Sequence, residues 1–397
     1  MLFRSFIEGG ICAVKGVRAG GIKPGKMGIA VILAEGTAAG AYTRNKVIAA
    51  PLVLTRERIA KTGRLSAVIV NSGNANAFTG EQGVADAKTM AFLLASRLRI
   101  DDELVGVGST GVVGRKLNTE WIDSNLPAAL DSVGEDAEAS MRAARAIMTT
   151  DTVPKEIAIE LESGIRIGGI AKGSGMIEPN MGTMLAFVYT DAQIPSTELQ
   201  SCLTTAVDKS FNMVVVDGDT SCNDMVLLTA TGKSGIIPEM TDFQAGLDLV
   251  LTELAKMIAI DGEGATKLIE SHVTGAATKE DARLVAKSIV RSPLVKSAIF
   301  GKDPNWGRIV VAAGYSGANM DPEKISLSFS AGTEVVELVR SGKVIRNDEA
   351  TLVHLKSIMG NDEIFIITDL GMGHESATAW GCDLTYDYVR INADYTT

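Results

Sequence analysis

Aromatic residues and runs of positive charge are both scarce in this chain of 397 residues. Phe, Trp and Tyr make up 5% of the sequence, and the formal net charge is -10. Proteins that bind nucleic acids place clusters of Lys and Arg against phosphates and often stack aromatic rings on bases. The composition therefore argues against a nucleic-acid partner and leaves small polar substrates open.

Cysteine and histidine are also few and widely separated. The cysteines are Cys12, Cys202, Cys222 and Cys382, and the histidines are His272, His354 and His374. No CxxC pair or nearby histidine gives the ligand spacing of a structural zinc site, and the cysteine pattern does not suit a disulfide framework. We expect reduced, buried cysteines and no bound metal, and the spacing alone identifies no serine–histidine triad.

Long hydrophobic runs are missing as well. The longest apolar stretches, such as residues 27–34, have the length of a strand and fall far below the roughly 20 residues of a membrane-spanning helix. Arg4 and Glu8 would interrupt the apolar core of a signal peptide. The sequence therefore predicts a cytoplasmic protein without a membrane partner.

The chain does contain a regular alternation of strand-like and helical segments. Short Val- and Ile-rich runs indicate strands at residues 28–33, 67–70, 104–107, 157–161, 165–170, 184–188, 214–216 and 225–230. Apolar periodicity and capping residues indicate helices at residues 84–98, 136–147, 242–260 and 279–290, and one that begins near Ser196. Thr278 can cap the helix at residues 279–290. In the tail we expect strands at residues 309–312, 364–368 and 385–391. This pattern predicts a mixed α/β protein.

The clearest interruption of the pattern lies at residues 172–182, where three glycines and a proline separate two strand-like runs. Thr183 follows Gly182 at the start of the second run. A chain cut there would expose a threonine whose own α-amine can act as the base, and Gly182 would permit the strained peptide conformation that favours the cut. The alternative is an ordinary threonine at the start of a strand, which is the more frequent case.

A second candidate lies in the segment GVGSTGVVG at residues 106–114. Thr110 and Gly111 follow an expected strand, and a glycine there lets a backbone N–H point at an oxyanion. The segment lacks the Lys–Ser/Thr ending of a phosphate-binding P-loop, and TGKSG at residues 231–235 is excluded because Leu227 stands where the first glycine is required. A plain turn is the alternative interpretation.

Three further polar segments are ambiguous by themselves. VDGDTSCND at residues 216–224 has the acidic residues of a metal loop without the spacing of an EF-hand, so an Asx-rich turn fits better. Glu263, between two glycines, suits either a ligand that approaches the backbone closely or a solvated end of a helix. Lys172 suits either an anion or solvent.

Taken together, these segments resemble the ornithine acetyltransferase family, also called the glutamate N-acetyltransferase or bifunctional ArgJ family of arginine biosynthesis. The resemblance extends over nearly the whole chain, with long motifs in the family order. The motifs are NSGNANAFTG (71–80), GVGSTGVVG (106–114), TTDTVPK (149–155), AKGSGMIEPNMGTMLAF (171–187), VDGDTSCND (216–224), DGEGATK (261–267), DPNWGRI (303–309) and AWGCDLTYDYVRINADYTT (379–397).

The resemblance implies the α/β fold of that family, an N-terminal-nucleophile type of fold shared with the DmpA aminopeptidase. It implies that the precursor cuts itself between Gly182 and Thr183, which gives an α chain of residues 1–182 and a β chain of residues 183–397. Thr183 would then be the catalytic nucleophile. The expected assembly holds two α and two β chains.

The same resemblance assigns the other site residues. Thr110 and Gly111 are implied to form the oxyanion hole. Substrate contacts are implied for Thr152, Lys172, Thr183, Glu263, Asn392 and Thr397, with Thr150 as the alternative to Thr152. On charge, Lys172 suits an α-carboxylate and Glu263 suits an amine or ammonium group.

The implied activity is the transfer of acetyl from N2-acetyl-L-ornithine to L-glutamate through an acetyl-threonine ester, in arginine biosynthesis. No metal or permanent cofactor is expected, and the sequence leaves open whether acetyl-CoA is a second donor. Two alternatives stand beside this hypothesis. One is an N-terminal-nucleophile aminopeptidase or amidase of the same fold, which passes the acyl group to water, and the other is a non-catalytic relative whose chain stays uncut.

Overall fold

The computed structural model describes residues 3–178 and 184–394 of the chain. These residues form two compact units. The first unit holds residues 3–178, 184–212 and 219–254, and the second holds residues 213–218 and 255–394.

The strands alternate with helices along the chain, as the sequence predicts. Among the described residues, the strands are β1 (Phe3–Phe6), β2 (Arg18–Ile22), β3 (Gly28–Tyr42), β4 (Arg64–Asn74), β5 (Val105–Val112), β6 (Lys155–Leu161), β7 (Arg166–Lys172), β8 (Leu185–Thr190), β9 (Val214–Val215), β10 (Met225–Ala230), β11 (Leu268–Ala276), β12 (Ser326–Ala331), β13 (Glu334–Arg340), β14 (Lys343–Val344), β15 (Glu363–Asp369) and β16 (Glu375–Cys382). The helices over the same residues are α1 (Ala50–Thr62), α2 (Gly80–Leu98), α3 (Thr119–Asp131), α4 (Ala137–Ile147), α5 (Ser196–Lys209), α6 (Met240–Ile260), α7 (Lys279–Arg291), α8 (Pro293–Phe300), α9 (Trp306–Gly314), α10 (Glu349–Ile358) and α11 (Tyr386–Asp394).

The first unit is built on one sheet with the strand order β1-β6-β7-β8-β10-β3-β4-β5, in which β2 also pairs with β3. The pairs β8–β10 and β4–β5 are parallel, and the other pairs of this sheet are antiparallel. The strand that follows residue 183 is β8, and it is an inner strand of the sheet because it pairs with β7 on one side and with β10 on the other.

Two apolar cores cover the two faces of this sheet, and strand β3 contributes to both. Ile29 and Val31 pack with α2 and α3 in one core, whereas Ala30 and Ile32 pack with α4 in the other. Successive side chains of a strand point to opposite faces, so a near-continuous apolar run is what a strand covered on both faces requires. This double burial explains the uninterrupted Val- and Ile-rich pattern of the sequence.

The second unit has its own sheet, with the strand order β14-β13-β12-β15-β11-β16-β9. Helix α7 packs on strands β11 and β16. Thr278 caps this helix by accepting a hydrogen bond from the N–H of Asp281, as the sequence predicts.

Two of the three strands expected in the tail are wrong. Residues 309–312 lie in helix α9, where Ile309 and Ala312 are buried and Val311 is 63% exposed, so the apolar run follows the three-residue spacing of a helix. Residues 385–391 lie mostly in helix α11, whose Tyr386 and Val389 are exposed. The strand expected at residues 364–368 is confirmed as β15.

Two expectations about the chain as a whole have structural counterparts. Cys12, Cys202, Cys222 and Cys382, all among the described residues, are free thiols, and all but the half-buried Cys12 are buried. No helix within residues 3–178 or 184–394 combines the length and the apolar character of a membrane span.

Candidate active site

Thr110 and Gly111 lie at the end of strand β5, where the chain passes very close to strand β4. Gly111 has a φ of +129°, and a Cβ atom on it would lie 2.4 Å from the carbonyl carbon of Gly73 and 2.6 Å from the nitrogen of Asn74. Only glycine fits such a position. The pairing of β4 with β5 becomes irregular at this point, so the backbone here departs from a regular ladder.

Buried amide and hydroxyl groups hold the end of β5 in place. Ser109 donates to Oδ1 of Asn71 at 2.5 Å, and Asn71 donates to the carbonyl of Asn74 at 2.8 Å. Asn223 donates from Nδ2 to the carbonyls of Ala75 at 2.6 Å and of Ser109 at 2.8 Å. The segment VDGDTSCND thus clamps two neighbouring strands, a role that its sequence did not reveal.

Lys172 ends strand β7 and reaches the same corner. Its side chain is buried, with 7% of the residue exposed, and Nζ donates to Oγ1 of Thr110 at 3.4 Å. Lys172 also pairs with Leu185 at the start of β8. The interpretation of Lys172 as a solvated lysine is therefore wrong, because the fold places its ammonium group inside the unit.

Asp151 is the ionised carboxyl group of this region. It accepts hydrogen bonds from Nζ of Lys155 at 2.8 Å, from the N–H of Gly173 at 2.6 Å and from the N–H of Thr149 at 3.0 Å. Burial opposes its ionisation, but the ammonium groups of Lys172 and Lys155 outweigh burial and lower the pKa of Asp151 to about 2. We call Thr110, Gly111, Asp151, Lys155 and Lys172 the strand-end cluster.

Lys23, in the loop after strand β2, is a neighbour of this cluster. Its Nζ donates to Oγ of Ser72 at 3.0 Å and also to the carbonyl of Met148. Burial lowers the pKa of Lys23, Asp151 opposes that change, and Lys172 adds to it. No sequence pattern points to Lys23, because its partners lie far away along the chain.

Asp224 lies at the edge of the cluster, one residue after the clamping Asn223. It is 2% exposed, it accepts a hydrogen bond from the N–H of Met184, and it borders a small cavity lined mainly by apolar side chains. Its Oδ2 atom has no hydrogen-bond partner within residues 3–178 and 184–394. Burial raises the pKa of Asp224 well above its ordinary value, although Lys172 acts in the opposite direction.

The two threonines of the TTDTVPK motif differ in their surroundings. Oγ1 of Thr150 lies 2.9 Å from Oγ of Ser174, two residues beyond Lys172. Thr152 is exposed. A substrate contact of Thr152, or of Thr150 in its place, stays a prediction.

In the second unit, Glu263 and Asn392 contact each other. Nδ2 of Asn392 donates to Oε2 of Glu263 at 2.7 Å, and Asn392 is exposed. The contact depends on Gly264, whose φ is +71° and where a Cβ atom would lie 2.6 Å from the nitrogen of Tyr388 in helix α11. The predicted close approach to the backbone at Glu263 is therefore made by a helix. We call Glu263 and Asn392 the loop–helix pair.

The fold thus groups the predicted residues into two sets, with Thr110, Gly111 and Lys172 in one and Glu263 and Asn392 in the other. Gly182, Thr183 and Thr397 lie outside the described residues. Within the part of the chain that the structure describes, no group of three His, Cys, Asp or Glu residues could hold a metal ion. The expectation that no metal is needed stays a prediction.

Comparison with known families supplies the decisive observation, because the model of the ArgJ family matches residues 13–397 of this chain. The chain belongs to the ArgJ family. Membership confirms the resemblance that the sequence motifs carry.

Two named proteins are similar to this chain over almost their whole length. One is a protein of Methanosarcina mazei named glutamate N-acetyltransferase, which is 65% identical over 394 residues, covering 98% of this chain and 99% of the relative. The other is a protein of Archaeoglobus fulgidus named arginine biosynthesis bifunctional protein ArgJ, which is 48% identical over 387 residues, covering 98% of this chain and all of the relative.

A solved ArgJ structure agrees with these matches. The crystal structure of arginine biosynthesis bifunctional protein argJ from Bacillus halodurans superposes with a TM-score of 0.50 at 45% identity. The match covers 54% of this chain and 100% of that chain. The mixed α/β fold expected from the sequence is confirmed by these strands and helices and by this neighbour.

Proposed function

We propose that this ArgJ-family enzyme transfers acetyl from N2-acetyl-L-ornithine to L-glutamate through an acetyl ester on Thr183. Family membership and the name of the M. mazei relative support this activity. The observation that carries the proposal is the position of Lys172. Its buried ammonium group contacts Thr110, and its backbone pairs with Leu185 at the start of the strand that follows Thr183. An ester intermediate splits one difficult transfer between two amines into two easier steps.

The strand-end cluster supplies the electrostatic part of this reaction. Attack of the Thr183 hydroxyl on the acetyl carbonyl creates an oxyanion, and Thr110 and Gly111 act as its hydrogen-bond donors. Lys172 binds the α-carboxylate that both amino-acid substrates carry. Glu263 binds an amine or ammonium group, and Thr152, Asn392 and Thr397 contribute further substrate contacts.

The nucleophile arises when the precursor cuts itself between Gly182 and Thr183. The freed α-amine of Thr183, with an ordinary pKa of about 7.7 to 8.0, is then a suitable base near neutral pH. The insertion of β8 between β7 and β10 supports a cut that leaves both chains in one fold. The match of the B. halodurans chain, complete along its own length, covers only about half of this chain, as a fragment of a cut precursor would.

The remaining features of the proposal follow the family resemblance. The α and β chains assemble as two copies of each, in the cytoplasm, and the reaction needs no metal or permanent cofactor. The proposal does not include acetyl-CoA as a second acetyl donor. Its use would be tested by acetylation of the enzyme with acetyl-CoA in place of N-acetylornithine.

Intact-mass spectrometry tests processing and acylation together. The purified protein should give two chains, and brief exposure to N-acetylornithine should add one acetyl group to the chain that begins with Thr183. Thr183→Ala should remain one full-length chain, whereas Thr183→Ser should still process, more slowly, because it keeps a hydroxyl group. Cleavage at the same bond in Thr183→Ala would contradict the assignment of the nucleophile.

Steady-state kinetics separate the transferase from a hydrolase of the same fold. Initial rates varied in N-acetylornithine and glutamate should give parallel double-reciprocal lines, as expected for transfer through an ester. A bound glutamate amine at attacking distance should outcompete water by a large effective molarity. Ornithine release at full rate without glutamate would instead assign the enzyme as an amidase.

A further inference from the structure

The strand-end cluster and its neighbour Lys23 carry an excess of positive charge. Nζ of Lys155 donates to the ionised carboxylate of Asp151 at 2.8 Å, and the ammonium groups of Lys23 and Lys172 lie near enough to interact with it electrostatically. Asp224 is the second carboxyl group of this region, and burial raises its pKa well above the ordinary value; even when both carboxyl groups are counted as charged, three ammonium groups outnumber them. Buried charges are expected to be paired with opposite charges. An anionic ligand would therefore stabilise the unpaired ammonium charge of this region.

Unused hydrogen-bond donors point to the same conclusion. An ammonium group has three N–H donors. Among the described residues, Lys172 uses one of its donors, in the 3.4 Å contact with Thr110, although the residue is 93% buried. Lys23 uses two, for Ser72 and Met148, and keeps one. Both lysines therefore have donors left for a ligand.

The two lysines contact paired residues of strands β4 and β5. Ser72, which accepts from Lys23, is the register partner of Thr110 in the β4–β5 pair, and Thr110 accepts from Lys172. Both ammonium groups also interact electrostatically with Asp151. Lys172 lowers the pKa of Asp151, and Asp151 raises the pKa of Lys23. A ligand bound at Thr110 would therefore lie near two separate ammonium groups, those of Lys172 and Lys23.

We infer that Lys23 binds the side-chain carboxylate of the acceptor amino acid while Lys172 binds its α-carboxylate, so that the site selects a dicarboxylate. This inference rests on the proposed function and assigns its acceptor specificity to a residue outside the motifs. Glutamate carries two carboxylates and matches two ammonium groups. N-acetylornithine carries one carboxylate and a side-chain ammonium group, so its half-reaction has no anion for Lys23 to bind.

The test measures the two half-reactions separately in Lys23→Met. Formation of the acetyl-enzyme from N-acetylornithine, followed by ornithine release in a single turnover, should keep its native rate. The rate constant for reaction of the acetyl-enzyme with glutamate should fall roughly 10- to 100-fold, because a hydrogen bond between charged groups is lost. With glutamine as acceptor the rate should not change, so the preference for glutamate over glutamine should collapse.

The matched control is Lys26→Met, which removes an exposed ammonium group three residues further along the same loop. It should keep the native rates and the native preference. Equal loss in both half-reactions of Lys23→Met would make Lys23 a support of the Thr110 corner and overturn the inference. Equal loss for glutamate and glutamine would overturn it as well.

Two measurements do not depend on the folding of Lys23→Met. Lys23→Arg keeps the positive charge and should keep most of the preference for glutamate. The native enzyme itself should prefer glutamate over glutamine by at least tenfold, and equal use of both acceptors would overturn the inference without any variant. A native enzyme that transfers no acetyl at all would refute the proposed function instead.

Discussion

The strand-end cluster and the loop–helix pair both contain predicted site residues, but they are built very differently. Thr110 and Lys172 are buried, and each lies at the end of a strand that other strands and side chains fix. Asn392 is exposed, and its side chain is held by one contact to Glu263 and one to the backbone of its own helix. Groups that must meet a developing charge need a fixed geometry, whereas groups that recognise a substrate end can adapt. We therefore expect substitutions in the cluster to affect the reaction itself and substitutions in the pair to affect binding.

The largest effect is expected for Gly111→Ala. The new Cβ would collide with the backbone of strand β4 at 2.4 Å and would adopt a φ that only glycine tolerates. We expect destabilisation by about 3 kcal/mol and a loss of acetyl transfer of roughly 10³-fold. Thermal melting and initial rates measure the two effects.

Gly114→Ala is the matched control for this substitution. Gly114 also has a positive φ, at +77°, but nothing lies within 4 Å of its Cβ position. It should cost only about 1 kcal/mol and leave transfer nearly unchanged. Equal effects of both substitutions would show that backbone strain, and not the collision with β4, dominates at Gly111.

Asp151→Asn should give the next effect, mainly on stability. Removing the carboxylate leaves the buried ammonium groups of Lys155 and Lys172 without their anion, at an expected cost of about 3 kcal/mol near pH 7. The uncut Thr183→Ala chain is the best background, since both proteins then unfold as single chains. Melting temperatures at pH 7 measure the difference.

The pH dependence of this difference has a defined sign. The pKa of Asp151 in the folded state, about 2, is below the value of about 3.9 in an unfolded chain. The ionised carboxylate therefore contributes fully to folding stability above about pH 4. That contribution is lost as the pH falls from about 4 towards about 2. The gap between the parent and Asp151→Asn should therefore narrow in acid, and a gap that widens would contradict the ionised state of Asp151.

Thr110→Ala should affect catalysis and leave the fold intact. It removes one donor to the oxyanion, so kcat should fall about 100-fold with little change in KM or melting temperature. Thr110→Ser keeps the hydroxyl group and should recover most of the rate. An unchanged kcat with a raised KM would make Thr110 an ordinary binding residue.

The smallest effect is expected for Asn392→Ala in the loop–helix pair. The loss of one exposed hydrogen bond to Glu263 should raise KM about three- to tenfold, with kcat and melting temperature nearly unchanged. Asn392→Asp, which sets two carboxylates against each other, should raise KM further. A fall in kcat like that of Thr110→Ala would remove the functional contrast between the two regions.

The sequence predicted best those features that depend on neighbouring residues. The strands of the first unit, helix α7 with its Thr278 cap and the strand-ending position of Thr110 all follow from local periodicity and capping. The family motifs, read as whole segments, added Lys172, Glu263 and Asn392. Local periodicity failed at residues 309–312, where a short apolar run suits a strand and a half-buried helix equally well.

The features that sequence reasoning missed depend on contacts between distant residues. Asn223 clamps Ser109 across 114 positions, and Lys23 reaches Ser72 across 49. Asp224 gains its raised pKa from complete burial, which is a property of the folded sheet. No spacing rule reports such contacts, because they depend on the order β7-β8-β10-β3-β4-β5 in the sheet.

That strand order also affects how the protein folds before the cut and refolds after it. Strand β8 pairs with β7 on one side and β10 on the other, and β10 pairs in turn with β3, so the two strands that follow the proposed cut lie between strands that precede it. Such a sheet forms most readily while the chain is continuous, when closing the loop is a first-order event. Once the bond before Thr183 is cut, refolding from denaturant becomes an encounter between two molecules, and its yield should depend on protein concentration in a way that the uncut Thr183→Ala chain does not share.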